Sequence, residues 1–361
     1  MNGYPKTTRR AFLKTGATAA AVGLLGTPAL RGAFAADVLR KQVRVNGRPV
    51  KVIDIHGHMV VPKAAELLAG TPLKGRFPPD QDMAKSAQAR FERMDRRGID
   101  TQVLSINDYW WYAADRDLAA KILRVHDEGV SEWCKAHSER FVGLTSPALQ
   151  HPDLAAEQLE YAVKTLGLRG ASVGTVMGEV PSSPKFDPFW RKAEELDVPV
   201  FFHPTNADHI VQEHAFEGRG DLGNIIGNPF ETTLFLAKLI FDGTLDRFPR
   251  LKICGAHGAG YFPSYLGRTN VACEVRANAK CANTKTPAAY LKTQIIADSM
   301  VFSDEGLRHL VAEMGPSQIV YGSDMPFNWP DTIDIIVNAK FLSDAEKEAI
   351  LGGNLVRLLK I

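Results

Sequence analysis

The sequence predicts an α/β chain closed into a (β/α)8 barrel of the TIM type, on three observations. Short β-branched runs alternate with amphipathic stretches through residues 36–361. Such alternation implies parallel strands joined by right-handed crossovers. The residues suited to chemistry fall just where those strands end, the rim on which barrel proteins build their pockets.

Eight strands are expected, at residues 52–55, 101–106, 141–145, 169–173, 198–202, 251–254, 294–297 and 318–321. Between and after them, stretches 84–97, 118–136, 154–166, 188–196, 230–241, 262–275, 304–314 and 344–351 repeat apolar residues every three or four positions. Leu118, Ile122, Val125, Val130 and Trp133 form one such helical face. Asp153 and Ser303 stand as caps before two of the helices. An open doubly wound sheet is the rival architecture, and it requires a glycine-rich phosphate loop after the first strand. This chain has His56-Gly57-His58 there, which favours the barrel. The longest strand-to-helix connections run from 59 to 83 and from 203 to 228, and their glycines and prolines suit substrate-covering loops rather than helices. No repeat or low-complexity linker divides residues 36–361, so one domain is expected.

Residues 1–35 read as a twin-arginine export signal. Arg9-Arg10 precedes an apolar Ala/Gly/Leu stretch from 17 to 25, and Ala33-Phe34-Ala35 is a small-x-small cleavage site. The apolar stretch is too short for a membrane anchor, so a periplasmic protein is expected. Removing the segment takes away Lys6, Arg9, Arg10, Lys14 and Arg31 and no acid, which turns a net charge of +2 into −3. A nearly neutral chain without a basic run has no electrostatic footprint for nucleic acid. The four cysteines (Cys134, Cys254, Cys273, Cys281) show no CxxC spacing, so neither a disulfide framework nor a cysteine metal site is expected.

Five polar residues mark the strand ends. His56 and His58 close the first strand two positions apart, so both imidazoles project to one side. His203 follows the apolar end of the fifth strand, His257 follows the sixth between Gly255 and Gly258, and Asp324 follows the eighth in Gly322-Ser323-Asp324-Met325-Pro326. Groups placed so converge on one pocket.

These motifs resemble those of the amidohydrolase superfamily. More narrowly, the chain is similar to the branch of aminocarboxymuconate semialdehyde decarboxylase and related nonoxidative decarboxylases. Residues 91–100, 251–258, 266–268 and 352–354 carry further stretches of the likeness. The resemblance implies a metal-dependent hydrolase type of barrel with His56, His58, His203 and Asp324 as ligands of one divalent ion, Zn2+ or Mn2+. It implies His257 as the acid/base, with Asp324 beside it in catalysis, and Arg268 as a clamp for a substrate carboxylate. In the family that arginine can cross a dimer interface, so a homodimer is implied. The activity implied is decarboxylation of a small aromatic or unsaturated carboxylic acid. A hydrolase or hydratase opening a lactone, ester or amide is the alternative, and a silent metal-binding protein is a third reading that an intact His257 disfavours.

Elementary chemistry agrees. Three neutral histidines and a carboxylate leave open positions on a zinc-like ion, as a catalytic site needs. Binuclear relatives use a lysine after the fourth strand, whereas residues 169–175 contain none, so one ion is expected. Two departures touch substrate recognition. Thr205-Asn206 stands where the family type has tryptophan after His-Pro, and Arg76 is only a nearby candidate for a loop arginine. Replacing Arg9 and Arg10 with lysine should strand a folded, unprocessed precursor in the cytosol. Processed protein in the periplasm from that double variant would refute the export reading.

Overall fold

A computed structural model describes residues 40–71, 73, 83–106, 110–205 and 207–361. Residues 1–35, read above as an export signal, lie with Arg76 and Asn206 outside the described residues. Within them, eight parallel strands follow one another: β1 (Ile53–His58), β2 (Thr101–Ser105), β3 (Phe141–Gly143), β4 (Ala171–Val173), β5 (Pro199–Phe202), β6 (Lys252–Gly255), β7 (Ile295–Asp298) and β8 (Ile319–Val320). Strands β1 to β3 pair in sequence order, as do β4 to β8. Two parallel bridges, Thr145 to Ala171 and Gly57 to Met325, join these two sheets into a closed barrel. The seams carry short backbone bonds, 2.7 Å from Ser172 N to Thr145 O and 2.7 Å from His58 N to Met325 O.

Strands covered on both faces are buried along their whole length and mostly apolar, and the polar exceptions here, such as Asp54, His56 and His58 on β1 and Asp298 on β7, gather at the metal centre. Inside the barrel, Val103, Leu144, Phe201, Cys254, Ile296 and Val320 make one buried cluster, which also takes in Leu355 and Leu359. Phe202 faces outward and stacks on Phe235 of helix Asn228–Phe241, with ring centroids 3.7 Å apart. Asn354 is structural, as its loop-like context suggests. Its amide donates to the carbonyls of Pro316 and Ile319 at 2.8 and 2.7 Å, tying the last helix to β8.

The caps and faces need partial correction. Ser303 caps helix Asp304–Met314 by accepting from Gly306 N. Asp153 does not cap, because Pro152 takes the first helical position and leaves Asp153 in the first turn of Pro152–Tyr161. On Arg116–Ala136 the buried face is Ala119, Ile122, Leu123, His126 and Val130, rotated from the apolar residues that the periodicity selects. That rotation lets Asp127 reach the Thr145 hydroxyl at the end of β3. The connections after β1 and β5 are not wholly irregular. The first holds a short helix, Pro62–Glu66, and the second has helical turns at Asp208–Ile210 and Gly223–Gly227.

One expectation about cysteine is overturned: Cys273 and Cys281 form a disulfide. It ties helix Leu266–Val275 to the loop after it, a local closure that no motif spacing announces. Cys254 is buried and Cys134 half-buried, as small hydrophobes. Among the described residues no helix is long and apolar enough to cross a membrane.

Glycine is required between the two histidines of β1. A Cβ on Gly57 would lie 2.6 Å from the Gln102 side chain and 2.8 Å from the Val103 carbonyl. Gly57→Ala should therefore cost about 1–3 kcal/mol through overpacking, read as a lower denaturation midpoint, and should pull β1 away from β2.

Candidate metal centre

Alternation along β1 turns Asp54, His56 and His58 toward the barrel axis. β5 delivers His203 and the turn after β8 delivers Asp324. The ligating atoms of His56, His58, His203 and Asp324 all lie within 4.8 Å of one another, and all four residues are buried. Asp324 Oδ1 is 2.7 Å from His58 Nε2 and 3.1 Å from His56 Nε2. His203 donates from Nδ1 to the Pro204 carbonyl at 2.7 Å, which leaves its buried Nε2 without a hydrogen-bond partner. His56 donates from Nδ1 to Asp298 Oδ2 at 2.9 Å, which likewise frees Nε2. Orphaned imidazole nitrogens around one carboxylate, away from water, are costly unless a cation joins them. The residues fit a divalent ion, and no second such cluster occurs among the described residues.

The electrostatics point the same way. Burial, reinforced by the neighbouring imidazoles, holds His203 well below the usual histidine range and keeps it neutral. Burial pushes His56 down too, but Asp324 and Asp298 outweigh it and raise the imidazole to about 10. Burial would raise Asp324, yet His56, His257 and His58 hold it well below the usual carboxylate range. The pocket thus demands positive charge. In the bare chain a proton on His56 supplies it, so uptake of a cation at neutral pH expels that proton.

His257 stands beside this cluster and outside it. Its Nε2 is 3.8 Å from Asp324 Oδ2, and its side chain is 15% exposed where the ligands are buried. Its backbone is left-handed, at φ 56° and ψ 52°, and Gly258, Ala259 and Gly260 also have positive φ. Only glycine fits at Gly260, where a Cβ would come 2.3 Å from the Pro229 carbonyl. A non-glycine residue held so costs about 1–3 kcal/mol, and Asp298 offsets it. The Asp298 carboxylate accepts from His257 N at 3.0 Å and from Gly258 N at 2.8 Å, while also receiving His56 Nδ1–H. Burial raises this carboxyl, but His56 outweighs it and keeps the group below its ordinary range, ionised.

Sequence reasoning missed Asp298 by ending its strand at Ala297. An apolar run closed by a carboxylate on the same rim was the available signal. It missed Asp54 as well, two residues before His56. Asp54 accepts from His56 N and Ser323 N at 2.9 Å and from Gln102 Nε2 at 2.6 Å, pinning the turn that carries Asp324. Arg90 supports the arrangement by donating to Gln102 Oε1 and to the His58 carbonyl. Aromatic rings wall the ligands. Phe327 lies edge-on to His58 at 5.0 Å, and Trp110 tilts toward His203 at 6.4 Å. Trp110 Nε1 donates to the Ser172 carbonyl of β4 at 3.0 Å. Arg268 is not brought to this cluster. It is exposed on helix Leu266–Val275.

The amidohydrolase family model matches residues 53–361. A 2-amino-3-carboxymuconate-6-semialdehyde decarboxylase of Dictyostelium discoideum is 31% identical over 282 residues, 75% of this chain and 75% of that one. A gamma-resorcylate decarboxylase of a Rhizobium species is 29% identical over 294 residues, covering 75% of this chain and 86% of the relative. Among solved structures, a dihydroxybenzoic acid decarboxylase from a Polaromonas species, with bound manganese and the inhibitor 2-nitroresorcinol, superposes with a TM-score of 0.72. It is 25% identical, and the match covers 86% of this chain and 97% of that one.

Elemental analysis should find about one divalent ion per chain, and His203→Ala should abolish it. Asp298→Asn should weaken retention by roughly 10–100-fold, the usual effect of losing an orienting partner, measured by competition with a chelator. Two ions per chain in active protein would contradict this geometry.

Proposed function

The chain belongs to the amidohydrolase family, and from that premise we propose that it is a mononuclear metal-dependent carboxy-lyase, removing carbon dioxide without an oxidant from a small aromatic carboxylic acid. The observation that carries this reading is His257, poised beside a complete buried ligand set without belonging to it. The relatives named above are decarboxylases, which favours this reaction over opening of a lactone, ester or amide.

When bound, the ion supplies positive charge that polarises a substrate carboxyl group and can activate water. His56, His58, His203 and Asp324 would hold it. The other tasks fall to this chain's own side chains. Trp110 and Phe327 offer flat apolar walls that suit an aromatic ring and exclude water. His257 handles the proton. As the bond between ring carbon and carboxyl carbon breaks, its electron pair stays on the ring carbon, which takes a proton from His257, and carbon dioxide leaves. Asp324 Oδ2 faces His257 Nε2 at 3.8 Å and so helps to orient the imidazole toward the reacting carbon.

The finer assignments belong to the same proposal. Three imidazoles and one carboxylate suit zinc, with manganese as the alternative occupant. Arg268 acts across a homodimer interface, clamping the substrate carboxylate of the partner subunit. Tyr265, Val271 and Val275 support this, since they flank it at 63%, 46% and 72% exposure, an apolar surface that suits a second copy. Export through the twin-arginine route is retained, and the Cys273–Cys281 bond suits an oxidising compartment.

Carbon dioxide release from a panel of hydroxybenzoates and muconates, run beside lactone opening, tests the reaction class. Lactone opening alone would overturn the decarboxylase reading. On the substrate so found, His257→Ala should keep its metal and lose about 10²–10⁴-fold in kcat. A metal-free variant would instead make His257 a ligand. Arg268→Ala should raise KM with metal content unchanged, and mixing it with His257→Ala chains should regenerate partial activity through hybrid dimers. Monomeric active protein by light scattering would exclude the clamp in trans.

A further inference from the structure

The turn after β5 is held by a carboxylate that has a second face. Glu231, in the first turn of helix Asn228–Phe241, is buried, and its Oε2 accepts from Thr205 N at 2.8 Å and from Ala207 N at 3.0 Å. Its Oε1 has only the Thr205 hydroxyl at 3.5 Å. That oxygen lies 3.9 Å from Nε2 of His209, too far for a hydrogen bond. The His209 side chain is only 9% exposed, and its Nε2 is buried without a partner. Two buried, under-satisfied polar atoms thus lie 3.9 Å apart, too far for a direct bond yet near enough for one oxygen beside them to reach both.

The gap opens on a cleft of about 170 Å³. Val180, Pro181, Ile210, Leu234 and Phe235 give it an apolar lining, which Thr175, Glu179 and Lys238 complete. None of the four metal ligands lines it, so it is separate from the metal centre. Phe235 is braced from behind by its stack on Phe202. An apolar cavity of roughly 150 Å³ is enough to hold benzene.

We propose that this cleft is a second ligand site, for a monocyclic phenol. A phenolic hydroxyl has the donor and the acceptor that the gap lacks: its O–H donates to Glu231 Oε1, and its oxygen accepts from His209 Nε2–H. The ring then buries its faces against Leu234 and Phe235. A carboxylate has no proton to donate to Glu231 Oε1, and an ammonium ion would leave His209 without an acceptor. Because Glu231 also holds the two amides that follow His203-Pro204, occupancy of the cleft bears on the turn beside a metal ligand. The inference stands on the cleft's own atoms and not on which acid is the substrate.

Titrating the metal-loaded protein with 4-fluorophenol, followed by fluorine NMR, tests it. Saturable binding is expected. Fluorobenzene, which lacks the hydroxyl and both of its hydrogen bonds, should bind about tenfold to a hundredfold more weakly. Leu234→Trp, which fills the cleft, should remove the site. His209→Ala, which leaves the apolar lining intact, should weaken it about tenfold. The metal-free variant His203→Ala should still bind, which separates this site from phenol held at the metal. Absence of saturable binding, equal affinity for fluorobenzene, indifference to both cleft variants, or loss of binding in folded His203→Ala would each overturn the proposal.

Discussion

The site depends on the carboxylate of Asp298. It is fully buried, stays ionised, and receives hydrogen bonds from the imidazole of His56 and from the amides of His257 and Gly258. One group therefore orients the imidazole of a metal ligand and holds the strained turn that presents His257. A buried charge is tolerated only where such partners surround it. Here the partners are the functional groups themselves, so the ligand set and His257 are positioned together. Displacing either one would leave a charge stranded in the barrel.

Around that anchor the barrel places chemistry by simple rules. Period-two alternation puts Asp54, His56 and His58 on the axis, with an apolar layer including Phe201 beneath them. The low polarity of that floor strengthens every charge interaction above it. This is why His203 is kept neutral while His56 and Asp324 are held charged so near by. The partly exposed ring of His257 marks the open side of the site, where the ligands themselves are buried.

Much of this was legible in the sequence, for physical reasons. Strands buried on both faces are rich in β-branched and apolar residues, and all eight were visible as short β-branched runs between helical stretches. His56-Gly57-His58 announced itself because period two is diagnostic of a strand, and Asp324 because it sits in a run of turn residues after one. Asp298 was hidden because a carboxylate at a strand end has no motif of its own. Its meaning comes from His56, 242 positions earlier in the chain. Trp110 was hidden for the opposite reason, since a buried tryptophan reads as core. The Cys273–Cys281 pair escaped because its eight-residue spacing matches no redox or metal motif. The cap expected at Asp153 moved two residues back, to His151, because proline claimed the first helical position at Pro152.

The barrel is closed at β8 and β1 by the bridge between Gly57 and Met325, and both residues adjoin ligands. The site therefore gathers groups from the first and the last strand of the barrel onto one seam. Asp324 meets His58 only where that seam shuts, so the fourth ligand joins the three histidines through closure of the barrel itself. A barrel that parted along this seam would dismantle its ligand set while most of its core stayed packed.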